Sequence, residues 1–120
     1  MNPHKGECEV TLGGTVYTMR PTFEAIVAFE DKAGVTTLEA LQGLIKNRNA
    51  PLKHLAAAFH SGIVAAWTQS TRPPTYNDVG AWIYAGGISN YILPFSNYIT
   101  NSLCSAQELE ENANKAAEGK

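Results

Sequence analysis

Leu52, Leu55, Ala56, Phe59, Ile63, Ala66 and Trp67 recur at intervals of three and four, the spacing that gathers side chains on one face of an α-helix. An apolar stripe this long has to be covered by other elements, and the small side chains of Ala56, Ala57 and Ala58 let a neighbouring helix approach closely. The spacing therefore predicts a central core helix. Pro51 suits its first turn, where the N–H that proline lacks would have no intrahelical acceptor. The stretch from Leu55 to Trp67 is interrupted by His60, Ser61 and Gly62 and is shorter than the ~20 residues a membrane span needs, so it reads as buried in protein. A chain of 120 residues needs only one such core.

Upstream the period changes to two. From Glu7 to Arg20, apolar and polar residues alternate on either side of Gly13-Gly14, a pair that supplies the positive φ angles of a two-residue hairpin turn. Cys8, Val10 and Leu12 share one strand face with Tyr17 and Met19, leaving Glu7, Glu9 and Thr11 on the other. Pro21 ends the second strand, and Thr22 caps a short helix whose stripe is read as Phe23, Ile26, Val27 and Glu30, with Phe29 close by and Gly34 as left-handed C-cap. Thr36-Thr37-Leu38-Glu39 starts the next helix with a hydroxyl cap and an early acid; Leu38, Leu41, Leu44 and Ile45 form its stripe, and it ends near Arg48-Asn49.

Downstream of the central helix, Ser70 to Thr75 with Pro73-Pro74 predicts a loop. A further helix starts at Thr75 or Asn77, buries Val79, Trp82, Ile83 and Ala85, and ends or bends at Gly86-Gly87. Ile88, Tyr91, Ile92, Phe95, Tyr98, Ile99 and Leu103 continue a three-four pattern, with Pro94 expected to kink the helix and the tyrosines expected at the border of core and water. The fold class is thus mainly α with an N-terminal β-hairpin (α+β), a small domain of about five helices. Its expected limits are a flexible N-terminus at 1–6, a single hairpin-plus-helices domain at 7–104 and a polar C-terminal tail at 105–120, helical from a Ser105–Glu108 cap or disordered.

No constellation of residues in the sequence suggests bond-making chemistry. Charged residues make up 17% of the chain and the net charge is −2, which gives no general attraction to nucleic acid. His54 and His60 stand six apart on one helix, a spacing that does not bring two imidazoles to one ion as an i, i+4 pair does. Cys8 and Cys104 read as unpaired thiols. Gly13-Gly14 runs into a strand and lacks the Lys-Ser/Thr of a phosphate loop, and the basic group Lys46, Arg48 and Lys53 fits a solvated helix end. The chain is therefore expected to be no enzyme, to use no cofactor or metal, and to bind neither nucleic acid nor membrane. The N-terminus shows no secretory signal, so a cytoplasmic location is expected.

The order of the Gly13-Gly14 hairpin, the run from Tyr17 to Ile26 through Arg20-Pro21-Thr22-Phe23, then Phe29-Glu30 and Gly34, resembles the tail protein family of gene transfer agents and related siphophages. Members of that family are regarded as tail assembly chaperones, although an older label calls them tail tube proteins. The resembling block spans roughly residues 7–45, and the region from Trp82 to Ile99 is more aromatic than the family pattern. The resemblance implies a phage or prophage protein of the host cytoplasm that coats the long, apolar-faced tape measure protein until tail tube subunits displace it.

A lone pair of strands is marginal, so an edge such as Glu7 to Leu12 would gain by pairing with a neighbouring subunit, which suggests a homo-oligomer built through the hairpin edge. Val16, Tyr17 and Phe23 are the residues singled out for that contact. Related genes often make a longer product by ribosomal frameshift, and Gly119-Lys120 is compatible with a slippery codon pair. Two other readings compete. One is a structural virion component, either a tail tube or a head-tail joining protein, although a tube subunit needs a larger sheet. The other is a helix-turn-helix regulator over Thr36–Trp67, which the apolar second helix and net acidity oppose.

Overall fold

The computed structural model describes residues 6–104; the segment before Gly6 and the polar tail at 105–120, with its Ser105–Glu108 cap, lie outside the described residues. The chain forms an α+β arrangement of one hairpin followed by five helices: β1 (Cys8–Leu12), β2 (Thr15–Met19), α1 (Phe23–Ala33), α2 (Thr37–Asn47), α3 (Leu52–Ala66), α4 (Tyr76–Gly86), a 3-10 turn (Ile88–Tyr91) and α5 (Ile92–Leu103). The strands pair antiparallel with Cys8 opposite Met19 and Leu12 opposite Thr15. Gly13 and Gly14 both take positive φ, 58° and 82°, as a type I′ turn requires. Val10, Leu12 and Met19 point inward and are buried, as the alternation predicts.

Helix α3 is the centre of the molecule. The residues Leu55 to Phe59 and Ile63 are buried, and α1, α4, α5 and β2 all pack on this helix. The hairpin is tied to it by a hydrogen bond from the Arg20 N–H to the Gly62 carbonyl, at 3.0 Å. Gly62 allows a three-way approach: a Cβ there would lie 2.9 Å from both the Met19 Cβ and the Tyr98 ring. The helix ends follow local chemistry. Thr22 accepts from the Ala25 N–H, Thr36 with Glu39 and Thr75 with Asp78 form reciprocal capping boxes, and Gly34 closes α1 at φ 77°.

Five expectations change. In α1 the buried positions are Ala25, Phe29 and Ala33, while Phe23 is 78% exposed. Phe29 sets this phase: its ring packs near Phe95 and His54, at centroid distances of 6.4 and 6.5 Å, and turning it inward carries Phe23 outward. In α2 the buried face is Thr37, Ala40 and Leu44, so Leu38 and Ile45 of the expected stripe lie in solvent. Pro94 stands third in α5, within the first turn, where its missing N–H breaks no intrahelical bond, so the expected cause of a kink is absent. Tyr98 is fully buried instead of lying at the border, with its hydroxyl donating to the Arg20 carbonyl at 3.3 Å; Ala85, expected inside, is exposed.

Candidate functional site

The largest aliphatic side chains left in water are concentrated on α2 and α5, which pack side by side. Leu38 is 53% exposed, Ile45 67% and Leu93 69%. Leu38 and Ile45, seven residues apart, fall on one face of α2 because two helical turns separate them. Leu93 projects from the first turn of α5, whose inward side chains are Phe95, Tyr98 and Ile99. Between the helices runs an open groove of about 560 Å³, lined by Leu44, Ile45, Arg48, Ser89, Ile92, Leu93 and Ser96. Apolar walls with a rim of serines and one guanidinium suit an amphipathic helix better than a small polar molecule.

Arg48 borders that groove in a strained conformation. It is the C-cap of α2 and takes φ 53°, the only positive φ of a non-glycine residue among those described. Its N–H donates to the Leu44 carbonyl at 2.7 Å, which closes the helix in the left-handed turn usually given to glycine. Holding a branched cation there costs about 1 kcal/mol, and strain of this kind is often kept where the side chain is used.

Three other depressions lie among the described residues. A cleft of about 420 Å³ lies between α1 and α3, floored by Ala25, Ala57 and Ser61 and bordered by Glu24, Lys32, His60 and Val64. A shallower one joins the hairpin to the start of α5, with Val16, Glu9 and Tyr91 among its walls. The third surrounds Tyr17, which stacks between Trp67 and Trp82 at centroid distances of 6.4 and 5.9 Å. The Trp67 indole N–H donates to the Thr71 carbonyl at 2.7 Å, so the proline-bearing loop is fastened onto this stack.

The three residues singled out for self-association are thus dispersed. Val16 is 59% exposed on the outer face of the hairpin, Phe23 is exposed at the start of α1, and Tyr17 points to the opposite face of β2 from Val16 and takes part in the internal stack. The structure does not gather them into one patch. Periodicity alone assigns Leu38 and Ile45 to packing, and Leu93 falls outside the three-four pattern of the last helix; the usable signal was that the α2 arc of Leu38, Leu41, Leu44 and Ile45 is broader than one buried seam.

Among the described residues no three His, Cys, Asp or Glu side chains gather in metal-holding geometry, and no helix is long and apolar enough to cross a membrane. The imidazoles sit apart, each edge-on to an aromatic ring: His54 to Phe29, and His60 to Tyr76 at 6.2 Å. Burial holds both below the ordinary histidine range, helped by Lys53 for His54 and by Lys32 for His60. Cys8 and Cys104 are free thiols, and burial raises the Cys8 thiol above its usual range despite a hydrogen bond with Asn101. Burial likewise lifts the Tyr98 phenol, so it stays a neutral donor. No family model, curated protein or solved structure matches the chain.

Proposed function

We propose that this chain is a siphophage-type tail assembly chaperone that keeps the apolar faces of a tape measure protein covered in the host cytoplasm until tail tube subunits take over. The observation that carries the reading is the α2–α5 surface, where Ile45 and Leu93 stand more than half in water in the walls of an apolar groove and Leu38 is exposed on the same face of α2 as Ile45. Burying one such side chain fully contributes about 1.5–3 kcal/mol, so their exposure is a standing drive toward association with another apolar surface. A long helix with an aliphatic stripe fits the groove by the ridges-and-grooves geometry that packs helices inside proteins. The resemblance carried by Gly13-Gly14, Arg20-Pro21-Thr22-Phe23 and Gly34 supplies the identity of that helix.

Self-association through the hairpin belongs to the same proposal. A sheet of two strands has edges that a further strand can join, and Val16 stands in water on its outer face, with Phe23 exposed at the start of α1. Val16→Asp is expected to reduce any oligomer built this way, as read by sedimentation.

Co-expression with the neighbouring tape measure gene tests the central reading. The expected result is a soluble complex recovered through a tag on either protein, and its loss in an Ile45→Asp, Leu93→Asp variant whose circular dichroism is unchanged. Recovery of an insoluble tape measure protein beside a soluble free chain would overturn the proposal. Mass spectrometry of purified particles separates it from the virion-component reading, since a chaperone is expected in lysate and absent from particles.

A further inference from the structure

The cleft between α1 and α3 is bordered by opposite charges arranged on one helix. Glu24, Ala28 and Lys32 follow each other at i, i+4 and i+8 and form an exposed ridge along α1, with the acid in the first turn and the base in the last. About 12 Å of helix separates the two charges, and Ala28 lies midway between them. Beside this ridge the cleft is floored by small side chains, Ala57 and Ser61, and flanked by the partly exposed Val64.

A ridge next to a groove is self-complementary under a two-fold axis. Turning a second copy about an axis beside Ala28, between the ridge and the cleft, lays the two α1 helices antiparallel. Glu24 of each copy then meets Lys32 of the partner subunit, and each ridge enters the other's small-residue groove. The small side chain at the crossing point lets the helix axes come close, and the antiparallel order sets each helix N-terminus against a C-terminus. We propose that the α1–α3 face binds the same face of a second copy of this chain, through two symmetric Glu24–Lys32 pairs centred on Ala28. Lys32 rests over the Tyr76 ring at 4.6 Å in the single chain, an exposed cation–π contact weak enough to be exchanged for a carboxylate. Neither the α2–α5 groove nor the hairpin takes part, so this contact stands or falls separately from the tape measure reading.

Sedimentation velocity of the full chain over a concentration series is the test. A dimer is expected for the wild type. Lys32→Glu and Glu24→Lys, which place like charges opposite each other twice per dimer, are each expected to weaken it about tenfold or more. The double variant Glu24→Lys, Lys32→Glu is expected to return to within about threefold of wild type, because the swap restores both pairs. Ala28→Arg is expected to abolish the dimer, and Val16→Asp, which acts only on an oligomer built through the hairpin edge, to leave the dimer in place. All five variants, at four positions, are surface changes whose folding is verified by circular dichroism. A monomer at every concentration, a dimer indifferent to the single charge changes, or a double variant that fails to recover would overturn the proposal.

Discussion

Gly62 shows how one atom can decide a fold. In an exposed helix interior, alanine is more favourable than glycine by about 1 kcal/mol. Here the added methyl would sit 2.9 Å from the Met19 Cβ and from the ring of the fully buried Tyr98, neither of which can swing away. Overpacking outweighs propensity, so Gly62→Ala is expected to lower stability by about 1–3 kcal/mol in urea denaturation. Arg48→Gly should act in the other direction, raising stability by about 0.5–1 kcal/mol by relieving the φ of 53°, while removing a cation from the groove rim. The histidines set a pH dependence. Their folded pKa values are depressed, so below the unfolded value of 6.5 the unfolded chain binds more protons and stability is lost as pH falls. The urea midpoint is expected to drop between roughly pH 7.5 and pH 5.5, and less so in a His54→Gln, His60→Gln variant. None of the Gly62 effect was legible in the sequence, since Met19 and Tyr98 come from opposite ends of the chain. The Gly13-Gly14 turn was fully legible, because both of its constraints are local.

At the scale of elements, the helix limits were written in short motifs and the helix phases were not. Thr22, Thr36 and Gly34 cap where their chemistry says they should, and Pro73-Pro74 marks the loop before α4. The join between α1 and α2 is made by a residue no motif would assign: the Glu30 carboxylate accepts from both the Thr37 N–H, at 2.8 Å, and the Thr37 hydroxyl, at 2.9 Å. Thr37 is buried, so removing that acceptor leaves two donors unsatisfied, and Glu30→Ala is expected to cost about 1–3 kcal/mol, measured by thermal or urea unfolding. Phase failed because α1 carries apolar residues around more than half of its circumference and α2 around nearly half of its own, both wider than the face that is buried. Periodicity cannot choose between Phe23 and Phe29, or between Ile45 and Ala40; partners distant in sequence, such as Phe95 and His54, make that choice.

Over the whole molecule, the central helix and the hairpin laid on it were readable from the sequence, because a stripe of small and large apolar residues has to be wrapped and an alternating pair has to be covered on one face. The candidate site was not readable in the same way, since it consists of the apolar residues that packing leaves over. Leu38, Ile45 and Leu93 contribute nothing to the core and are exposed at a cost to solubility that a binding role would explain. Methyl NMR of the chain labelled at leucine and isoleucine, titrated with a helical segment of the tape measure protein, addresses this most directly. The expected result is shifts at Leu38, Ile45 and Leu93 with the core methyls of Leu55, Ile63 and Ile83 unmoved; no shift at those three, or shifts confined to the core, would contradict the proposed docking surface.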